Sequence, residues 1–173
     1  MSFKKILVAL DRSPLSRRVF DHALTLIEPA VSQVKIIHCL NLGTYQNFGA
    51  ILDTGIGLRT QTDLARSEAA EQAKASAEAA SWLNSLRAEA EVQGVSADFL
   101  IETAGPGPVV CQVAQDWSAD VIVVGNGGKR GIKELILGSV SQYIIHHAPC
   151  PVLVLPPDNQ PVVEFPAADP ESS

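Results

Sequence analysis

Apolar residues along this chain fall into two regimes: short unbroken runs rich in valine and isoleucine, and stripes that return every three or four positions. The runs lie at Lys5–Leu10, Val34–Leu40, Ala97–Glu102, Asp120–Gly125 and Val152–Leu155. Runs this short and this β-branched predict strands buried on both faces, the habit of a parallel sheet. The first stripe comprises Leu15, Val19, Phe20, Ala23, Leu24 and Ile27. It predicts a helix capped by Ser13, opened by Pro14 where a missing N–H is no loss, and stopped by Pro29. A far longer pattern, alanine-rich with interleaved Glu and Lys, runs from about Thr62 to Gln93. Ala69, Ala73, Ala80, Leu83, Leu86 and Ala90 form its apolar seam, and Gly94 closes it as the residue past the helix end. At 1.5 Å per residue this helix reaches roughly 45 Å, more than a small sheet requires, which leaves room for a break near its start. Two shorter helices are predicted over 107–117, after the turn Gly105-Pro106-Gly107-Pro108, and over Ser139–His147, ended by Ala148-Pro149-Cys150-Pro151.

Strand and helix therefore alternate. The order βαβαβαβαβ predicts a single doubly wound α/β domain over 1–156, with a five-stranded parallel sheet, right-handed crossovers and a ligand at the carboxyl ends of the strands. Two segments stand outside that order. Residues 41–61 carry Gly43, Gly49, Gly55 and Gly57 among scattered aromatics with no period, and read as a glycine-containing lid or loop. Residues 157–173, rich in proline and acidic residues, read as a disordered tail.

Composition narrows the function classes. With 46% apolar and 18% charged residues the chain suits a soluble globular core. A net charge of −6 argues against a nucleic-acid partner. No apolar stretch approaches the roughly 20 residues of a membrane helix. Met1–Ile6 runs into the first strand with no hydrophobic leader, and Cys39, Cys111 and Cys150 lack metal-type spacing. Free thiols in a reducing cytoplasm are the expectation. His146 and His147 at a helix C-terminus suit the dipole there, and Trp82 and Trp117 read as core anchors on helices.

Chemistry concentrates after the fourth strand, in Gly125-Asn126-Gly127-Gly128, a nine-residue spacer and Gly138-Ser139. Glycine directly after a strand lets backbone N–H groups approach a ligand with no Cβ in the way. Ser139-Val140-Ser141-Gln142 matches an S-x-x-Q capping box, so a helix N-terminus with free N–H groups is expected there, a ready phosphate site. Two anion-binding surfaces beside one strand end point to a nucleotide. The alternative is a tight loop with a well-capped helix and no ligand. Asp11 ends the first strand, and with Ser13 capping the helix its carboxylate is left for a ligand. Lys129, Arg130 and Lys133 add a basic cluster beside the phosphate position, the alternative being a solvated face. Other phosphate motifs fail. Gly128-Lys129 is not followed by Ser or Thr, Val123 stands where a P-loop needs its first glycine, and Arg130 stands where G-x-G-x-x-G needs its last.

These same residues carry a resemblance. Lys5-Ile6-Leu7-Val8-Ala9-Leu10-Asp11 with Ser13, Ala119-Asp120-Val121-Ile122-Val123-Val124-Gly125, the pattern Gly125-x2-Gly128-x9-Gly138-Ser139, and His147-Ala148-Pro149-Cys150-Pro151-Val152 resemble the universal stress protein family, in its ATP-binding branch, over about residues 3–156. The resemblance implies a Rossmann-like, adenine nucleotide alpha hydrolase-like sheet. It implies ATP as ligand, with or without magnesium, and ADP or AMP as alternatives. Ala9, Leu10 and Asp11 would then meet the nucleoside, and Cys39, standing where the family usually has valine, would meet adenine through its backbone. Gly125 and Gly128 would line ribose and phosphates with Lys129 beside them, while Gly138, Ser139 and Val140 cradle the polyphosphate. A homodimer through the strand at 152–155 is also implied. So is a stress-response sensor that binds a signalling protein according to its nucleotide state. The alternatives are a slow ATPase or nucleotide-processing enzyme, and an interaction module without nucleotide. With Glu134 the one acid close to the motif, no catalytic pair is expected.

Overall fold

Alternation along each central strand splits the core in two. In β1 (Lys5–Leu10), Ile6, Val8 and Leu10 turn to one face and Leu7 to the other, and all four are buried. β2 (Gln33–Cys39) repeats this with Val34 and Ile36 against Ile37, and β4 (Val121–Gly125) with Val121 and Val123 against Ile122 and Val124. β3 (Ser96–Glu102) and β5 (Val152–Leu155) form the edges. The computed structural model describes residues 3–40, 58–127 and 137–157, with the backbone alone over 58–65. Most of the predicted 41–61 loop, Gly128, Lys129, Arg130, Lys133, Glu134 and the tail from 158 lie outside the described residues.

The five strands run in the order β3-β2-β1-β4-β5, every pair parallel, each within a residue of its predicted bounds. α1 (Leu15–Thr25) and α2 (Leu58–Val92) cover one face through Val19, Phe20, Ala23, Leu83, Leu86 and Ala90. α3 (Pro106–Trp117) and α4 (Ser139–His147) cover the other through Val110, Ala114 and Ile144. Burying each such Leu, Ile or Phe side chain contributes about 1.5–3 kcal/mol, so packing rather than helix propensity holds the layers. The chain winds outward from β1 through β2 to β3, then crosses back to β4 and β5. This places a topological switch point between β1 and β4, where a crevice opens at the strand ends.

Two helices depart from expectation. α1 ends at Thr25, before Ile27 and Pro29, with the Leu26 N–H closing the last turn on the Ala23 carbonyl. α2 begins at Leu58 rather than Thr62 and runs unbroken for 35 residues. Its seam is Ala79, Leu83, Leu86 and Ala90, all buried; Ala69 and Ala73 are exposed and Ala80 is half-buried. Gly94 follows with φ +79, a left-handed turn that suits glycine.

α3 and α4 touch where Gly107 faces Tyr143, whose ring stacks on His147. At the opposite end of the sheet, Lys5 Nζ donates to the Trp117 carbonyl oxygen at 3.0 Å. The Lys5 and Lys35 ammonium groups lie 5.8 and 4.8 Å from the Trp117 ring centre.

Candidate functional site

The carboxyl ends of β1, β2 and β4 stop at one level, with Leu10 beside His38 and Ala9 beside Val124. Above them opens a cleft of about 1190 Å³, somewhat larger than the roughly 300–1,000 Å³ of most small-molecule sites. Ala9 and Leu10 line it from β1, Asp11 from the turn that follows, and Cys39 from β2. Gly125 lines it from β4, and Gly138, Ser139 and Val140 from the start of α4. The expected site residues within the described segments therefore come together. Gly128 and Lys129 lie outside those segments.

Asp11 is not the unengaged carboxylate that the sequence suggests. Its Oδ1 accepts the Ser13 backbone N–H and the Ser16 hydroxyl, each at 2.9 Å. Ser13 does not cap α1: the cap position is Pro14, and no side chain bonds there. The Asp11 side chain performs the local turn instead, a task Asp and Ser share in sequence statistics. Partial desolvation by the cleft wall pulls the carboxyl upward, but the hydrogen bonds from Ser13 and Ser16 outweigh it and hold Asp11 below the usual carboxylate value. Asp11 Oδ2 lies 3.6 Å from where a Cβ on Gly127 would stand, so the carboxylate and the glycine segment are neighbours.

Next to Asp11, Arg12 adopts φ +61, a conformation uncommon outside glycine. Its guanidinium lies 5.7 Å from the Trp82 ring centre, and its Nη1 is 3.9 Å from Glu78 Oε2. Trp82 meets buried His38 edge-on at 5.5 Å, and His38 Nδ1–H donates to the Leu10 carbonyl at 2.8 Å. Burial in the cleft wall, followed by the nearby Glu102 carboxylate, pushes the Cys39 thiol up to about 11. It is a neutral thiol at physiological pH.

Gly125 has a packing role besides its place in the cleft. A Cβ there would come within 2.8 Å of Leu15 Cδ2 and 3.1 Å of Val19 Cγ2, so its absence lets α1 close on β4. The predicted Ser139–Gln142 capping box does not form. Gly138 holds the cap position with φ −60 and ψ 153, Ser139 is already helical, and no side chain caps the helix. The Gly138 N–H donates to Asn126 Oδ1 at 2.8 Å, and the Gly138 carbonyl accepts from Gln142 N–H and Ser141 Oγ, each at 2.9 Å. The first N–H groups of an α-helix have no partner within it, so Ser139 and Val140 supply donors at the cleft wall. Gly105, at the start of α3, is a second helix N-terminus on the same cleft with no side-chain cap.

Ser16 and Asn126 escaped the sequence reading. Ser16 is the second residue of α1, where its hydroxyl reaches back to Asp11. Asn126 stands between two glycines, where asparagine reads as a turn former; only a residue twelve positions away reveals its bond. Among the described residues, no group of three His, Cys, Asp or Glu side chains could hold a metal ion.

Comparison with known proteins fits this geometry. The model of the universal stress protein family matches residues 2–156. A universal stress protein of Synechocystis is 34% identical over 160 residues, spanning 90% of this chain and 99% of that protein. A universal stress protein family member from Arabidopsis thaliana, solved with AMP bound, superposes with a TM-score of 0.54 at 20% identity, covering 95% of this chain and 97% of that one. The universal stress protein of Archaeoglobus fulgidus, solved in complex with dAMP, superposes with a TM-score of 0.53 at 20% identity, covering 89% and 98%.

Proposed function

Because this chain belongs to the universal stress protein family, we propose that it is a nucleotide-responsive regulator whose cleft binds ATP, with ADP or AMP as the alternative ligands. One observation carries the reading: Asp11 and the uncapped first turn of α4 face the same cleft at the switch point of the sheet. The two ends demand different chemistry. An ionised carboxylate only accepts hydrogen bonds, so Asp11 suits ribose hydroxyls or a phosphate-bound magnesium. Backbone N–H groups at a helix N-terminus suit phosphate. Cys39 meets adenine through its backbone, and Gly125 and Gly128 line the ribose and phosphates with Lys129 beside them. The AMP and dAMP held by two structural relatives support an adenine nucleotide.

The mode of action is conformational: nucleotide in the cleft changes the surface that a signalling protein reads. Dimerisation through β5 fits a four-residue edge strand whose Leu153 is exposed. The cytoplasm is the setting that three free thiols favour. Among the described residues, Asp11 is the acidic residue that lines the cleft.

Calorimetric titration of MgATP into nucleotide-stripped protein tests this, with Asp11→Ala alongside. Saturable binding in the wild type, weakened about tenfold or more in the variant, is expected. A wild type that takes up no ATP overturns the reading. Rapid turnover of labelled ATP would replace the regulator with an enzyme.

A further inference from the structure

Within the glycine motif stands one side chain that the glycine pattern leaves unused. Asn126 is 3% exposed, uncommon burial for a polar amide. Its Oδ1 accepts the Gly138 N–H at 2.8 Å, and its own backbone N–H donates to the Leu155 carbonyl at 2.7 Å. One residue thus ties the end of β4 to β5 and to the cap position of α4. The Gly138 N–H is consumed in this bond, so the donors left at the cleft wall begin with those of Ser139 and Val140, one and two residues further on.

We propose that Asn126 is the positioning residue of the phosphate site. It fixes the Gly138 peptide from behind, so that the Ser139 and Val140 N–H groups are held in place before a ligand arrives. It therefore governs affinity for the phosphates of a nucleotide and not for the nucleoside. The residue type follows from the position: an amide supplies the acceptor that Gly138 needs without bringing a negative charge beside an anion site. This inference rests on the nucleotide reading above and names a residue for it.

Calorimetry with adenosine, AMP and ATP on wild type, Asn126→Ala and Asn126→Asp tests the proposal, together with melting temperatures and amide exchange at Gly138. In Asn126→Ala, the Gly138 amide exchanges freely and ATP affinity falls about tenfold, while adenosine stays within about twofold. Asn126→Asp keeps an acceptor, so it keeps slow exchange at Gly138. It loses affinity in the order ATP, then AMP, with adenosine unchanged. Should the alanine variant fail to fold, the graded loss in the aspartate variant decides. Equal losses for adenosine and ATP, or unchanged ATP affinity in the folded variants, overturn the role of Asn126 alone. A wild type that binds neither adenosine nor ATP overturns the nucleotide reading, and this inference with it.

Discussion

Replacing Gly107 with alanine puts a methyl group into the contact between α3 and α4. Its Cβ would lie 2.8, 2.9 and 3.0 Å from Cδ1, Cγ and Cβ of Tyr143. Carbon atoms in good contact sit about 3.5–4.0 Å apart, so three atoms would have to retreat by roughly half an ångström or more. They have little freedom to do so. Cβ and Cγ are rooted on the α4 backbone, and the ring stacks on His147 with centroids 4.1 Å apart. Overpacking of this kind costs about 1–3 kcal/mol. Alanine's better helix propensity offsets up to ~1 kcal/mol of that. The net loss is about 1–2 kcal/mol, a fall in Tm of roughly 2–8 °C for a domain of this size. Urea unfolding of Gly107→Ala, Tyr143→Ala and the double variant isolates the cause. With the ring gone, Gly107→Ala should be neutral or stabilising, a coupling of about 1–3 kcal/mol, which is the overpacking cost itself. An equal loss in both backgrounds, or no loss in the single variant, would refute the steric account.

Gly138→Ala should behave in the opposite way. Its φ of −60 and ψ of 153 are open to any residue. A Cβ there would make ordinary contacts of 3.5–3.6 Å with Gly127 and Ser141. Stability should hold or rise by about 0.4–1 kcal/mol; a lowered melting temperature contradicts this. The Asp11 carboxyl, held below its ordinary value of 3.8, stays ionised to lower pH in the folded state than in the unfolded one. Its contribution to stability is thus present above the unfolded pKa and lost as pH falls through the folded one. The gap between wild type and Asp11→Asn should be constant above about pH 5 and close in acid, and a gap that widens on acidification would count against it. With its thiol near 11, Cys39 is ~10⁻⁴ thiolate at pH 7. Its alkylation rate, followed by site-resolved mass spectrometry, should rise about tenfold per pH unit from 7 to 10, and a plateau before pH 9 would be inconsistent with that value.

The parts of the fold legible in the sequence were those set by neighbours a few residues away. Val121–Val124 and Ile6–Val8 are buried on both faces, and an unbroken apolar run is the direct imprint of that burial. Gly94 was legible because a left-handed residue after a helix leaves few other choices. What failed depended on distance. The alanine period of α2 gives no measure of the sheet beneath it: six residues of β1 at ~3.3 Å each span about 20 Å, whereas 35 helical residues span about 52 Å. Ala69 and Ala73 continue the pattern beyond what the sheet covers. At the site, Asp11, Gly125 and Gly138 do line one cleft, yet the hydrogen bonds within it ran differently. Ser13 and Ser139 both look like caps, but Asp11 and Asn126 hold those two loops. The first choice turns on competing local bonds, the second on a contact across twelve positions.

The two tryptophans lie at opposite ends of the sheet, Trp82 against His38 and Arg12 near the cleft, Trp117 beneath Lys5 and Lys35 at the far end. The molecule therefore carries two optical probes in dissimilar surroundings. Emission from Trp82 is exposed to any rearrangement of the Asp11–Ser13 turn, whereas Trp117 is remote enough to act as an internal standard. With Trp117→Phe and Trp82→Phe, each signal can be recorded alone, and events at the mouth of the cleft followed in real time without attaching a dye.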